Sequence, residues 1–221
     1  MERWNRPLET RWDRLRAWSN MLFVDHGLIR YVYPNRHRVT DRLWRSAQPA
    51  PHHLHAFARA GGKSVVSLRG GMFFGSLPLE REACERAGLA FHTFVLRSRT
   101  LPSRDDLITA KRLFDRLDYP ALIHCKSGAD RVGFMSALYL VFAEGRPVSE
   151  ARRQLSLRYG HIRQGKTGVL DAFFEAYERE TGGAVPLIDW IETGYDRARV
   201  IAGHRPSPWG TLLTDLVLRR E

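Results

Sequence analysis

Cysteine is scarce in this sequence, and the long apolar runs of membrane proteins are missing. The 221 residues contain two cysteines, Cys84 and Cys125, which is too few for the disulfide framework of a small secreted domain. The longest apolar stretch, FMSALYLVFA at 134–143, is shorter than the roughly 20 residues of a membrane-spanning helix. The N-terminus also lacks the apolar centre of a signal peptide. These absences predict a cytoplasmic protein.

Acidic residues are outnumbered by basic ones. The sequence has 24 Asp and Glu against 35 Lys and Arg, which gives a formal net charge of +11. Such an excess favours anionic partners, which include phosphorylated substrates, acidic lipid surfaces and nucleic acid. Nothing beyond charge supports nucleic acid, and no nucleic-acid partner is expected.

Short apolar runs alternate with amphipathic stretches, and no internal repeat interrupts them. This alternation predicts an α/β fold with a central, mainly parallel sheet flanked by helices, and with helical N- and C-terminal extensions. We predict an amphipathic extension at 1–35, a catalytic domain at 36–181 and a C-terminal extension at 182–221. Strands are predicted at 41–49, 63–68, 89–96 and 121–124. Helices are predicted at 51–62, 79–88, 103–118, from about 131, at 148–160 and at 167–180.

The stretch LIHCKSGADRVG at 122–133 is the strongest candidate for a functional site. Cys125 directly follows a predicted strand, and a predicted helix starts near Arg131. Backbone N–H groups between them would face one concave space at a positive helix end, which binds an oxyanion and favours a thiolate. Arg131 offers the planar pair of donors that suits phosphate oxygens, and Gly128 lets the loop turn. The predicted phosphate-binding residues are Lys126, Ser127, Gly128 and Ala129, with His124 orienting the loop from beneath.

The pattern His-Cys-x5-Arg at a strand-to-helix junction resembles the signature of the cysteine-based protein tyrosine and dual-specificity phosphatases. LWRSAQP, VVSLRGG and HCKSGADRVG occur in the order seen in the compact bacterial dual-specificity-like members, and the resemblance covers about residues 36–180. It implies metal-independent hydrolysis of phosphomonoesters through a phosphocysteine, with no cofactor. Two alternatives for Cys125 are a buried structural thiol and a rhodanese-like sulfur carrier, whose shorter loop would resemble Cys-x4-Arg.

The source of the leaving-group proton is the main departure from that family. Its members usually place an aspartate on a loop before the cysteine, whereas this sequence has VLRSRTLPS at 95–103. Asp130, directly before Arg131, is the best substitute. Some branches of the family resemble this sequence in having an aspartate there, and the resemblance implies that it acts as the acid. Its alternative role is a loop brace paired with an arginine. Asp105 and Asp106 are weaker candidates, because acidic residues in a first helical turn are explained by the helix dipole.

A second departure is Val132, at a position where the family usually has a hydroxyl residue that helps to release the thiolate. The absence of this hydroxyl would slow hydrolysis of the phosphocysteine, so a phosphate-binding pseudophosphatase with little turnover is the alternative function.

Other residues have two interpretations each. The predicted ligands for a second anionic group of the substrate are Arg69, Arg97 and Arg99, although surface arginine is common in so basic a chain. A polar loop that could roof the pocket contains His161, Arg163, Gln164 and Lys166. Cys84 is either a disulfide partner of Cys125 or a small core residue. The HHLH cluster at 52–55 is a metal site or, with no further ligand at suitable spacing, a helix start.

The N-terminal stretch TRWDRLRAWSNMLF at 10–23 has an apolar stripe at helical spacing, formed by Trp12, Leu15, Trp18 and Leu22. Such a stripe either lies in a membrane interface or packs on the domain. Two kinds of partner are predicted. The family resemblance implies a phosphorylated protein, and a stripe in a membrane interface would favour a phosphorylated lipid or glycolipid. The second would require peripheral contact with the anionic inner membrane surface.

Overall fold

The computed structural model describes residues 4–70, 74–208 and 210. The chain divides into two compact units. The first unit takes the described residues up to Val95 together with Asp118–Gly128, and the second takes Leu96–Leu117 together with the described residues from Ala129 onward. The predicted division at 35/36 and 181/182 stays a prediction.

The first unit contains the whole sheet. Its helices are α1 (Arg11–Ser19), α2 (Gly27–Val32), α3 (Pro51–Arg59) and α4 (Ser76–Ala87), with a π-helical turn at Asn20–Val24. Its strands are β1 (His37–Arg38), β2 (Leu43–Ser46), β3 (Ser64–Ser67), β4 (Ala90–Thr93) and β5 (Ala121–His124).

The five strands lie in the order β1-β2-β5-β3-β4. β1 pairs with β2 in antiparallel fashion and the other pairs are parallel. Ser46 and Ser67 both stand in register with His124. The carboxyl ends of three strands therefore meet at one edge of the sheet, where ligands bind in open α/β sheets. The predicted α/β class with a mainly parallel sheet is confirmed, although β1 was not predicted.

Helices α3 and α4 pack against the strands of the first unit through a common apolar core. This core is formed by Leu54, Phe57, Val65, Ala83, Cys84, Leu89 and Leu122. Cys84 is fully buried there with a free thiol. Burial raises the pKa of this thiol, with a smaller contribution from Glu80. These facts favour the core role of Cys84 over a redox role.

The N-terminal helix α1 uses only part of its apolar surface for packing. Ala17 of α1 and Met21 of the following π-helical turn are buried against Leu79 of α4, whereas Trp12 is 70% exposed and Leu15 is 57% exposed. The buried residues Ala17 and Met21 thus lie next to the predicted stripe and are not part of it. The rest of the stripe, Trp18 and Leu22, is partly buried in the same cluster.

All the regular secondary structure described in the second unit is helical. It contains α5 (Arg104–Arg116), α6 (Asp130–Phe142), α7 (Val148–Ala151), α8 (Val169–Thr181), α9 (Leu187–Thr193) and α10 (Arg197–Gly203). Its aromatic core is formed by Phe134, Phe173, Phe174, Trp190 and Tyr195, with ring centroids 5.1–5.4 Å apart in contacting pairs.

Two helix predictions in the second unit had different outcomes. Ser103 caps α5 as predicted, and the backbone N–H of Ser103 donates a hydrogen bond to the Asp106 carboxylate at 2.9 Å. The single helix predicted at 148–160 is wrong, because α7 is followed by two 3₁₀ turns, Arg152–Gln154 and Leu157–Tyr159. Between them Leu155 has a ψ of 86°, which is outside the helical range, and its buried side chain faces Gly133 of α6.

Within the described ranges, no helix combines the length and apolar character needed to cross a membrane. The last part of the predicted C-terminal helical extension, 211–221, lies outside those ranges.

Candidate functional site

The loop after β5 positions Cys125. The residue is 1% exposed, and the backbone N–H of Gly128 donates a hydrogen bond to its Sγ at 3.3 Å. Gly128 has a φ of +73°, and a Cβ at this position would lie 2.5 Å from the backbone N of Ala47 and 2.7 Å from the carbonyl carbon of Ser46. Both observations restrict position 128 to glycine. The loop therefore passes so close to the end of β2 that no side chain fits between the two backbones.

Polar contacts within the first unit hold the remaining loop residues. The amide of Asn35 donates to the Ser127 carbonyl at 3.0 Å, and a guanidinium nitrogen of Arg45 donates to the Gly128 carbonyl at 2.9 Å. The ammonium of Lys126 lies 5.8 Å from the centroid of the Phe74 ring. Lys126 and Ser127 are half-buried, while Gly128 and Ala129 are buried. Phosphate binding by these four residues stays a prediction.

His124 lies at the end of β5, fully buried beneath the loop. Its Nε2 is 2.5 Å from Oε1 of Glu80, although the two groups are not aligned as a hydrogen bond. The other carboxylate oxygen of Glu80 accepts a hydrogen bond from the Gln48 amide at 2.9 Å. The His124 carbonyl accepts from the N–H of Leu68 at 2.9 Å. His124 therefore belongs to a buried polar network, which is consistent with its predicted orienting role.

Arg69 extends this network to the N-terminal segment. Its guanidinium donates to both carboxylate oxygens of Asp25 at 2.8 Å and to the Gln48 side chain at 2.9 Å. Asp25 also pairs with Arg30 at 2.8 Å. Burial would raise the pKa of Asp25, but the hydrogen bonds and charge of Arg69, with Arg30 and Lys126, hold it below its ordinary value.

This placement favours a structural role for Arg69 over the predicted substrate contact. Two of its donors are taken by a carboxylate 44 residues earlier in the sequence, so they are not directed at a ligand. Arg97 and Arg99, in contrast, are exposed in the segment that follows β4. A substrate contact by either stays a prediction.

Asp130 and Arg131 open α6 in the second unit. Arg131 is half-buried in the first turn. Asp130 is buried, and its Oδ1 lies 2.7 Å from Nδ1 of His161. Val132 follows, with no exposed surface. The carboxylate at 130 therefore has a histidine partner, whereas the sequence suggested an arginine as the alternative.

His161 is held between two carboxylates. Its second ring nitrogen, Nε2, lies 2.6 Å from Oδ2 of Asp171 in α8. Burial would lower the pKa of His161, but the hydrogen bonds and charges of Asp130 and Asp171 raise it to about 9. The sequence analysis noted His161 only as part of a polar loop and missed Asp171. The signal was weak, because the three residues are separated by 31 and 10 positions.

The other residues of that polar loop face outward. Gln164 and Lys166 are exposed, and Arg163 pairs with Glu175 at 2.6 Å. The HHLH cluster forms the first turns of α3. Across the part of the chain that the structure describes, no three His, Cys, Asp or Glu residues are grouped as a metal site.

Solved structures share this architecture. TpbA from P. aeruginosa superposes with a TM-score of 0.53 at 19% identity, covering 77% of this chain and 90% of TpbA. Tk-PTP in its active form gives a TM-score of 0.52 at 23% identity, covering 65% of this chain and 98% of Tk-PTP. A putative phosphatase (DUF442) from Shewanella putrefaciens CN-32 gives 0.52 at 16% identity, covering 65% and 92%. At these identities the likeness establishes the fold, which is the phosphatase fold of these structures.

A further TpbA structure, of a variant in complex with pTyr, gives a TM-score of 0.50 at 18% identity, covering 78% of this chain and 93% of TpbA. Neither protein-family profiles nor curated protein sequences give a match to this chain.

Proposed function

We propose that this chain is a phosphatase that hydrolyses phosphomonoesters through a covalent phosphocysteine at Cys125. One observation carries the proposal: the Cys125 thiol follows the buried central strand β5, and the Gly128 N–H points at its sulfur. A backbone donor on sulfur stabilises the thiolate, which is the nucleophilic form of cysteine. The same N–H group would then donate to an oxygen of a bound phosphate.

The reaction proceeds in two steps. Cys125 Sγ forms a bond to phosphorus while the ester P–O bond breaks, and Asp130 passes a proton to the leaving oxygen. Arg131 and the loop N–H groups hold the remaining phosphate oxygens. Water then attacks phosphorus, the S–P bond breaks, and inorganic phosphate leaves. This chemistry calls for neither a metal nor a cofactor.

The N-terminal segment favours a substrate at a membrane surface. Large apolar side chains along it are exposed: Trp12, Leu15, Phe23, Val24, Leu28, Ile29 and Val32. Asn35 joins the end of this segment to the catalytic loop through Ser127. An exposed apolar surface on a chain of net charge +11 suits an anionic lipid interface. We therefore propose a phosphorylated lipid or glycolipid as the preferred substrate, hydrolysed at the inner membrane surface.

Phosphotyrosine in proteins is the competing substrate, and the TpbA complex with pTyr supports it. A second candidate function is phosphate binding with little turnover. Val132 favours this candidate, because its buried side chain puts no hydroxyl next to Arg131.

The test measures phosphate release from a phosphotyrosine peptide and from anionic vesicles that carry a phosphorylated lipid. Cys125→Ser supplies the blank, and Cys84→Ala is the matched control because it removes the other thiol. We expect Cys125-dependent release, faster from vesicles than from the peptide. Faster release from the peptide would assign a protein substrate, and phosphate binding without release would assign the pseudophosphatase.

A second pair of variants tests the apolar surface. Ile29→Ser in α2 should slow release from vesicles and leave hydrolysis of a soluble aryl phosphate unchanged, because Ile29 is 70% exposed. Leu157→Ser is the control, with an equally exposed leucine in the second unit. Equal effects of both variants would remove the support for a membrane substrate.

A further inference from the structure

His161 joins two helices of the second unit through its imidazole. Asp130 at the start of α6 lies 2.7 Å from one ring nitrogen, and Asp171 in α8 lies 2.6 Å from the other. The side chain of His161 is 1% exposed, and those of Asp130 and Asp171 are 4% and 13% exposed. Ionised carboxylates only accept hydrogen bonds, so each ring nitrogen must donate. This geometry fits an imidazolium that donates one hydrogen bond to each carboxylate.

The backbone on either side of His161 is tightly constrained. Gly160 has a φ of +84° and ends the preceding 3₁₀ turn, and the N–H of His161 donates to the Ser156 carbonyl at 3.1 Å. A Cβ on Gly168 would lie 1.8 Å from the Arg163 carbonyl oxygen, so the loop also closes tightly after His161. The backbone is therefore constrained on both sides of His161.

The imidazolium changes the interpretation of Asp130. A carboxylate that accepts a hydrogen bond from a buried cation is an anion at neutral pH and has no proton of its own to deliver. The cluster of Asp130, His161 and Asp171 nevertheless holds one transferable proton. In the segment 95–103, where the related phosphatases usually carry an aspartate, the sequence offers Arg97 and Arg99.

We propose that His161 is a positioning residue that stores the leaving-group proton and passes it to Asp130, while Asp171 keeps the imidazole charged and oriented. This inference rests on the proposed phosphatase function. In the first step the Nδ1 proton of His161 moves to Asp130 and then to the leaving oxygen, as the S–P bond forms and the ester P–O bond breaks. His161 becomes neutral and still donates from Nε2 to Asp171.

The second step returns the proton. Water attacks phosphorus and loses a proton to Asp130, which passes it back to Nδ1 of His161 as the thiolate of Cys125 leaves. The negative charge of the bound phosphate lowers the cost of moving the first proton onto Asp130, since a nearby anion favours the neutral carboxyl group. Among the described residues, the charged groups that raise the pKa of His161 are Asp130 of α6 and Asp171 of α8.

Asp171→Asn provides the sharpest test, because it keeps the shape of the side chain and removes one negative charge. The measurement is kcat against pH with phenyl phosphate. We expect wild-type kcat to fall on the alkaline side near pH 9, following the pKa of His161. In the variant this fall should move to lower pH by about one unit, with KM unchanged.

The matched control is Glu175→Gln. Glu175 lies one turn after Asp171 in α8 and pairs with Arg163 of the same loop, so it carries the same charge change without touching His161. It should keep the wild-type pH profile. An alkaline fall that Asp171→Asn does not move, or that both variants move equally, would overturn the proposal.

His161→Gln separates proton delivery from a structural role. We expect kcat to fall by about 10²- to 10⁴-fold for phenyl phosphate, which has a poor leaving group, and far less for 4-nitrophenyl phosphate. Equal losses on both substrates would assign His161 to structure alone.

A readout without turnover keeps the two proposals distinguishable. Nitrogen-15 spectra of the His161 ring in Cys125→Ser should show an imidazolium at pH 7. A neutral ring there contradicts the proton store, whatever the activity. A charged ring in a protein that releases no phosphate contradicts the proposed function, and with it the role of His161 as a proton store.

Discussion

Both units bury an ionic cluster around one central side chain, and these two clusters differ in the chemistry of their cations. In the first unit Asp25 lies between Arg30 and Arg69. In the second, His161 lies between Asp130 and Asp171. Arginine stays charged at any pH that a protein tolerates, whereas histidine changes charge within the range where enzymes work. The first arrangement suits a permanent brace, and the second suits a group that gains and loses a proton.

The largest expected effect comes from breaking the brace. Asp25→Ala leaves two buried guanidinium groups without their carboxylate, and removing one partner of a buried ion pair costs about 3 to 5 kcal/mol. Urea unfolding would measure this loss of stability. The control is Asp41→Ala, which breaks the exposed pair with Arg38 and should change stability by less than about 1 kcal/mol. Similar losses for the two variants would show that Asp25 is no brace.

A pH series sharpens the contrast between the clusters. The pKa of His161 is raised from 6.5 to about 9. The contribution of its charged ring to the free energy of unfolding is therefore complete below pH 6.5 and is lost as the pH rises through 9. The amount is on the order of 3 kcal/mol. The pKa of Asp25 is lowered, so its stabilisation is present above its ordinary value of 3.8 and is lost as the pH falls further.

The free energy of unfolding, measured from pH 3 to 10, would separate these two contributions. Asp171→Asn should flatten the alkaline side and leave the acidic side as it is. An alkaline side that is equally steep in the variant would show that His161 is not the group being titrated.

The smallest expected loss of stability comes from replacing a helix cap, and each unit offers one cap for comparison. Thr10 caps α1 and Ser103 caps α5, and the backbone N–H of each capping residue donates to an aspartate three residues later. Replacing either cap by alanine should cost about 1 kcal/mol in unfolding free energy. Thermal unfolding of Thr10→Ala and Ser103→Ala would test whether the units respond equally. A much larger loss for Ser103→Ala would mean that α5 has a further role.

Local patterns predicted much of the fold. β5 was predicted with its observed bounds, because ALIH is an apolar run between Pro120 and the loop. The cap at Ser103 was predicted because capping depends on residues three positions apart. β1 was missed because a pair of residues, His37 and Arg38, carries no detectable periodicity. The break near Leu155 was missed because Leu155 packs beside Gly133 of α6, a contact that no local pattern reveals.

In the candidate site, too, local patterns could be predicted from the sequence and distant contacts could not. The loop from Cys125 to Arg131 is contiguous, so its pattern could be recognised in the sequence. The partners of Asp130 and Arg69 could not, because Asp171 and Asp25 lie 41 and 44 positions away from them. Only the fold shows that Arg69 faces a carboxylate in the first unit.

The hydrogen bonds of Asp25 have a consequence for how this chain can be divided. A shortened chain that begins after Val32 would lack Asp25 and would leave Arg69 without its counter-ion inside the remaining fold. It would also uncover Leu79, on which Ala17 and Met21 pack. The N-terminal segment therefore cannot be exchanged between relatives as a separate module. An exchange would have to carry a matching partner for position 69 with it.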